Sequence, residues 1–364
     1  MWQTIFLVAI ILAIVSIVYI VFRFHSFSFI KKIGKKHKLI SWLLSLCPLL
    51  VISCFYLINL PTAVIVMIHL FLAFLIFDFI AFIIRKVSKK QFSYDYQSAG
   101  AIMFTVIYLS IGWYMAHHVF QTDYTFYTSK SIGAERLRIV EIADSHLGIT
   151  LDGSDFAEQM KRVQKTNPDI VTIVGDFVDD DTDVNDMIES CKALGELKTT
   201  YGVYFVYGNH DNGYYNYRNF SSKQLRDELT KNNVTILEDE SVLVNDLFYI
   251  IGRKDAYTPN RLGMDELTAD LDNEKYSIVL DHQPNDYANE AAADVDLVMS
   301  GHTHGGHLFP AGPIGLLLKA NDRIYGTEKR GNTTFVVTSG ISGWAIPFKT
   351  GTASEFVVID IKSE

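Results

Sequence analysis

The chain has 364 residues, 49% of them hydrophobic, enough for two structural units, and its formal net charge of −9 is unevenly divided. Up to Thr122, ten Lys and Arg stand against only Asp78 and Asp95, a formal +8 that leaves −17 for the remainder. An acidic second half repels polyanions at long range and excludes free nucleic acid as the expected partner, while three cysteines, two of them inside apolar runs, exclude a disulfide framework or a thiolate zinc site.

Residues 2–22 form an unbroken apolar stretch of the length that spans a hydrocarbon core, and residues 39–60, 62–84 and 99–120 repeat the pattern. Four transmembrane helices are therefore expected, in a membrane domain covering residues 1–121. The first stretch lacks a basic segment before it and a small-residue cleavage site after it, so it reads as an uncleaved span. Asp78 and His69 interrupt the third. A charge at mid-bilayer costs about 2.5 to 3.5 kcal/mol, so Asp78 is expected protonated or paired with a hydroxyl. All ten basic residues fall in two loops, around residues 23–38 and 85–90, which include Lys89 and Lys90. The positive-inside rule puts both loops in the cytoplasm, and the acidic half then faces the extracytoplasmic side of a plasma membrane.

A polar linker is expected over residues 122–136 and an α/β domain over residues 137–364. Residues 137–143, 170–174 and 203–207 read as strands alternating with helices at 155–165, 184–197 and 222–231. Further strands are expected at 248–251, 277–280, 297–299, 334–338 and 356–361, the pattern of a layered α/β domain. Nearly every strand ends in a group of Asp, His or Asn, and in open α/β sheets ligands bind at the carboxyl ends of strands.

Five such clusters stand in order: Asp144-Ser145-His146, Gly175-Asp176, Gly208-Asn209-His210-Asp211, His282 within Leu280-Asp281-His282-Gln283-Pro284, and Gly301-His302-Thr303-His304-Gly305-Gly306. Carboxylate, imidazole and amide donors without thiolate suit Mn, Fe or Zn, and two ions about 3.5 to 4 Å apart clamp phosphoryl oxygens. One His-x-His pair would carry little weight; five clusters in one order carry much more.

These clusters resemble the five signature motifs of the calcineurin-like metallophosphoesterases, and residues 339–347, Ser-Gly through Pro, resemble that superfamily's bacterial membrane-associated branch. The resemblance implies a four-layer α/β/β/α sandwich-type domain behind the four-helix membrane region. It implies two divalent ions (Mn, Zn or Fe), with Asp144, His146 and His304 on one, Asn209, His282 and His302 on the other, and Asp176 bridging them. A hydroxide bridging the ions would be the nucleophile, and His210 would protonate the leaving group. Asp179 matches a position that orients this histidine in some branches, with Asp211 as the competing partner. Two positions depart from the branch: His307 where Gln is common, which either touches substrate or lies on the surface, and Lys349 where Arg is common, a less strict clamp for a carboxylate or phosphate.

The acidic run of residues 179–183 is expected to be a solvated loop. The aromatic stretch Tyr214-Tyr215-Asn216-Tyr217 either lines a substrate mouth or meets the membrane interface, or else it caps the site. The expected activity is hydrolysis of a phosphodiester or phosphomonoester, lipid-linked or belonging to the cell envelope, with membrane lipid as a further partner. Two alternatives remain: a membrane protein that senses metal or phosphate without turnover, and a cytoplasm-facing phosphodiesterase of nucleotides or nucleotide sugars.

Overall fold

Long apolar runs fold as helices because a helix satisfies its own backbone N–H and C=O groups, and the described residues up to His117 are almost wholly helical. The computed structural model describes residues 2–88, 95–214 and 217–364; Lys89 and Lys90 of the second basic loop, and Tyr215 and Asn216 of the aromatic stretch, lie outside the described residues. The chain divides into two compact units, Met1–Ile111 and Gly112–Glu364.

The first unit holds α1 (Trp2–His25), α2 (Ser28–Gly34), α3 (Lys38–Ser45), α4 (Cys47–Ser53), a 3-10 turn (Cys54–Leu57), α5 (Leu60–Ser88) and most of α6 (Tyr96–His117). Three stretches, Lys38–Leu57, Leu60–Ser88 and Tyr96–His117, are long and apolar enough to cross a membrane. The pair Ile10–His25 and Ser28–Gly34, bent by 74°, adds a fourth if it is one span. The expected second span is broken into α3 and α4, with Pro48 in the first turn of α4, where a missing N–H is tolerated. Along α5, Ala63, Val66, Met67, Leu70, Phe71 and Phe74 are buried, the three-and-four spacing of one helix face.

Asp78 is paired with a guanidinium, not only with a hydroxyl as expected. Arg23 Nε and Nη2 donate to its two oxygens at 2.9 and 2.8 Å, and Tyr19 Oη donates at 2.7 Å. Arg23 Nη2 also donates to Asp95 at 3.1 Å, so one cation joins α1, α5 and the start of α6. His69 Nδ1 lies 2.8 Å from the Ile65 carbonyl oxygen, an ordinary local bond. Arg23→Ala strands the Asp78 charge, and about 2.5 to 3.5 kcal/mol of insertion free energy is at stake. Membrane yield and detergent melting temperature should fall for Arg23→Ala and recover in Arg23→Ala with Asp78→Asn; equal yields for Arg23→Ala and the parent chain would refute the pairing.

The second unit is α/β. Its elements after α6 are β1 (Val119–Thr128), β2 (Arg136–Ile142), α7 (Gly153–Lys165), β3 (Ile170–Val174), α8 (Val184–Gly195), β4 (Val203–Val206), α9 (Ser222–Lys231), β5 (Val234–Ile236), β6 (Glu240–Val244) and β7 (Phe248–Gly252). Then follow α10 (Met264–Thr268), β8 (Tyr276–Leu280), α11 (Tyr287–Ala292), β9 (Leu297–Ser300), a 3-10 turn (His304–Gly306), α12 (Ala311–Leu317), β10 (Gly326–Arg330), β11 (Thr333–Val337) and β12 (Ser354–Ser363). Side-chain caps set the helix starts: Asp152 accepts from Asp155 N, and Ser221 and Gln224 form a capping box.

The strands make two mixed six-stranded sheets, ordered β1-β12-β2-β3-β4-β5 and β10-β11-β9-β8-β7-β6. The expected linker is mostly strand. β1 runs parallel to β12, Val119 opposite Ser354 through Thr128 opposite Ser363, and Tyr124 and Phe126 pack on the core. The fourth expected span correspondingly ends at His117, and the chain enters β1 at Val119.

Period-two alternation sorts the core. Val140 and Ile142 of β2 pack with Phe156, Met187 and Leu225 from α7, α8 and α9. Leu137 and Ile139 point the other way, into a cluster shared with Ile250, Ile278 and Met299 of the second sheet. The opposite face of that sheet carries Ile251, Val279 and Val298, packed with Met264 and Tyr287. Both sheets therefore end their parallel strands at one rim, where the polar clusters follow.

Candidate metal centre

Each cluster begins one or two residues beyond its strand, and the loops are stitched to one another. Asp144 N donates to Gly175 O at 3.0 Å, His146 N to Asp176 O at 3.1 Å, and Gly301 N to His282 O at 3.0 Å. Asp144, His146, Asp176, His302 and His304 all have positive φ, from 36° to 68°. Left-handed backbone costs a non-glycine residue on the order of 1 to 3 kcal/mol and persists where the surroundings impose it, often at functional sites. Here it falls at five polar positions from three loops whose side chains converge. Gly175, at φ 78°, has no room for more than a hydrogen, because a Cβ there would lie 2.5 Å from His282 Nδ1.

Three sets of donors converge. Asp144, His146 and His304 form one; Asp176, His282 and His302 form another; in each, one donor atom per residue lies within 4.8 Å of the others. Asp176 Oδ2 joins them, 3.1 Å from His282 Nε2 and 3.6 Å from His146 Nε2. Asp144 and His282 are fully buried, and Asp176 is 2% exposed. Asn209 Nδ2 donates to Tyr214 Oη at 2.8 Å.

Divalent ions fit these residues. His282 Nε2 and Asn209 Oδ1 are buried with no aligned hydrogen-bond partner, and such orphaned atoms call for an explanation. His146 Nε2 and His304 Nε2 face one another at 3.2 Å, two lone pairs that a cation would satisfy together. His282 Nδ1 donates to Val174 O at 2.9 Å, which leaves the Nε2 lone pair available to a metal ion.

The third set, His146, Asp179 and His210, answers the question of which acid holds His210. Asp179 Oδ1 lies 3.0 Å from His210 Nδ1 and its Oδ2 lies 2.9 Å from His146 Nδ1. Asp211 is occupied elsewhere: it accepts four backbone N–H groups, from Asp176, Phe177, Val178 and Gly208, at 2.7 to 3.1 Å. Despite burial, the two histidines hold the Asp179 carboxyl well below the usual range. Burial pulls His210 down, but the Asp179 hydrogen bond and the Asp176 charge outweigh it and favour the protonated ring.

Other expected residues have different roles from those foreseen. The acidic run is not simply a solvated loop: Asp179 is 7% exposed, and Asp183 caps α8 by accepting from Asn185 N. Lys349 is fully buried; its Nζ donates to Ser339 O at 2.5 Å and Gly340 O at 3.1 Å, and burial pushes it down to about 7. It fixes the loop beneath Asp144, where a Cβ on Gly340 would come within 2.6 Å of Asp144 Cβ. His307 is a half-buried ring stacked on His304 at 5.2 Å, pushed down to about 3 by burial and then by Lys349. Tyr214 stands edge-on to His210 at 5.0 Å.

Two residues escaped sequence reading. Trp344 is 38% exposed, with its ring 5.6 Å from that of His210; it lies inside the Ser-Gly-to-Pro segment, which was the available signal. Glu141 is fully buried, and neither carboxyl oxygen has a partner. Burial, then the charges of Glu355 and Asp144, push it well above the ordinary value. The folded state thus keeps a proton that the unfolded chain releases above about pH 4.3, so stability falls as pH rises past that point. Glu141→Met should raise the melting temperature of chelator-treated protein more at pH 8 than at pH 5.5; the same shift at both pH values would refute the assignment.

A family model described as calcineurin-like phosphoesterase matches residues 137–306. A metallophosphoesterase of Aquifex aeolicus is 33% identical over 250 residues, 66% of this chain and 91% of that one. One from Campylobacter jejuni is 29% identical over 312 residues, 81% of this chain and 79% of that one. A Bos taurus relative, named a transmembrane protein with metallophosphoesterase domain, is 29% identical over 245 residues, 62% of this chain and 53% of that one.

Proposed function

The chain belongs to the calcineurin-like metallophosphoesterases, metal-dependent hydrolases of phosphoric esters, and on that premise we propose that it hydrolyses a lipid-linked or cell-envelope phosphate ester at the extracytoplasmic face of a membrane. The observation that carries the reading is the Asp176 carboxylate set between His146 and His282, with Asp144 and His304 on one side and His302 on the other completing two donor sets.

In this reading Asp144, His146 and His304 would hold one divalent ion and Asn209, His282 and His302 a second, with Asp176 available to both donor sets. When bound, such ions neutralise phosphoryl oxygens and lower the pKa of water toward about 7. The protein supplies the rest. His210, hydrogen-bonded through Nδ1 to Asp179, keeps Nε2 for delivering a proton to the departing oxygen. Asp179 fixes the rings of His146 and His210 together. Tyr214 and Trp344 flank His210, their rings 5.0 and 5.6 Å from its own.

The same reading takes the four apolar stretches as four spans and the alternating clusters of helix and sheet residues as the four-layer sandwich. The basic loops argue for both termini outside. The relative from Bos taurus, transmembrane by name, supports membrane attachment.

Purified full-length protein should hydrolyse bis-p-nitrophenyl phosphate or the monoester with Mn²⁺ or Zn²⁺ and lose that activity to a chelator. Silence on both esters and on envelope lipid phosphates, with two ions bound, would overturn the enzymatic reading. A reporter fused after Glu364 that worked only in the cytoplasm would overturn the orientation.

A further inference from the structure

The last turns of α6 are part of the second unit, which begins at Gly112. They carry Trp113 and Tyr114, 42% and 52% exposed, at the end of a helix long and apolar enough to cross a membrane. Tryptophan and tyrosine in that position mark the headgroup level. The turn is fastened to residues 348–350: the Trp113 ring meets Phe348 edge-on at 5.9 Å, and Lys349 N donates to Gly112 O at 2.9 Å.

The same loop holds the chain that follows the last ligand histidine. Thr350 N and Gly351 N both donate to His307 O at 2.9 Å, and Phe309 N donates to Thr350 Oγ1 at 3.0 Å. From Phe309 the chain enters α12. Phe309, Ile314, Leu316, Leu317 and Leu318 are all exposed, Leu317 at 82%, and no charged residue appears between His307 and Lys319. Folded proteins rarely leave such a patch bare in water. The hydrogen-bonded path from the interfacial rings of α6 through residues 348–351 to His307 sets this patch beside the headgroup level, which makes lipid its occupant. Lys319, just past the apolar run, suits a phosphate-rich boundary.

The geometry points to residues 309–318 as a membrane-docking segment that inserts among lipid headgroups, so that the metal centre beside it takes the phosphate ester of a lipid from the bilayer surface. It rests on the phosphoesterase reading for the substrate and stands apart from it for the docking. Phosphorus at the headgroup level is within reach of a site whose own loop is seated there, whereas a soluble ester needs no such contact.

The test uses the full chain in phosphatidylethanolamine/phosphatidylglycerol nanodiscs. With Cys47 and Cys54 changed to serine, Leu317→Cys carries an environment-sensitive fluorophore. Quenching by doxyl-labelled lipid and protection from aqueous iodide are expected. Quenching by iodide alone would overturn the docking, and so would protection from both quenchers, which would mean a protein cover such as a second copy. Separately, Leu317→Glu with Leu318→Glu should lower hydrolysis of a diacylglycerol p-nitrophenyl phosphodiester at least about tenfold and leave soluble bis-p-nitrophenyl phosphate within twofold. Equal losses on both esters, or none on either, would overturn the substrate assignment. Failure of the parent chain on both esters would sink the phosphoesterase reading, while the quenching result would still decide the docking.

Discussion

Asp176→Ala is expected to reduce phosphoester hydrolysis by on the order of 10³-fold or more, and to reduce bound metal with it. The carboxylate reaches both donor sets. Oδ2 lies near a histidine of each donor set, and Oδ1 accepts the backbone N–H of His210 at 2.8 Å. Removing it opens both donor sets and frees the loop that carries the acid. Metal-ion stabilisation of a phosphoryl transfer is worth several kcal/mol, and each 1.36 kcal/mol is tenfold in rate. The variant should still fold, because Asp211 holds the backbone N–H groups of residues 176–178 and 208 independently of the Asp176 side chain. Metal analysis alongside initial rates checks this. Two ions retained at full occupancy, with activity within tenfold of the parent chain, would remove Asp176 from the bridging position.

How much of this was legible in the sequence differs by the range of the interaction. Strand ends at Val174 and Leu280 could be read because a run of β-branched and apolar residues stops where Gly175 and Asp281 begin, a local signal. The strand over residues 119–128 falls across the expected end of the fourth span and the expected linker, although its alternation is present: Phe120, Thr122, Tyr124 and Phe126 are half-buried, and Gln121, Asp123 and Tyr127 are exposed. Its polar face hid it, and its partner β12 lies more than two hundred residues away, where no local pattern points. Short strands such as β5 and β10 leave too few residues for a period to show.

The clustering of Asp, His and Asn at the strand ends was legible in the sequence; the contacts that support those clusters were not. Lys349 looked like a clamp for an anion, yet its ammonium is satisfied by two backbone carbonyls beneath Asp144. Nothing in a sequence says whether a lysine faces a ligand or a loop. Asp179 and Asp211 were open alternatives for the same reason, and only their hydrogen-bond partners separate them: one carboxylate takes two imidazoles, the other takes four peptide N–H groups.

That separation leads to the second large effect. His210→Ala should lower kcat by roughly 10² to 10⁴-fold, the usual contribution of a positioned general acid, with metal content unchanged. Asp179→Asn should lower kcat too, but it also touches His146 Nδ1, so metal affinity should fall by about 10- to 100-fold, as when an outer partner of a ligand histidine is lost. The double variant separates the two roles of Asp179. If Asp179 acts on the chemical step only by holding His210, then in metal-saturated protein Asp179→Asn costs nothing further once His210 is gone, and the two losses are far from additive. Additive losses under saturating metal would mean that Asp179 has its own role in the transition state. The leaving group gives an independent reading. An acidic alcohol such as p-nitrophenol departs without help, so His210→Ala should spare nitrophenyl esters relative to alkyl esters. Equal losses on both classes would assign His210 to binding the phosphoryl oxygens instead of protonating the departing one.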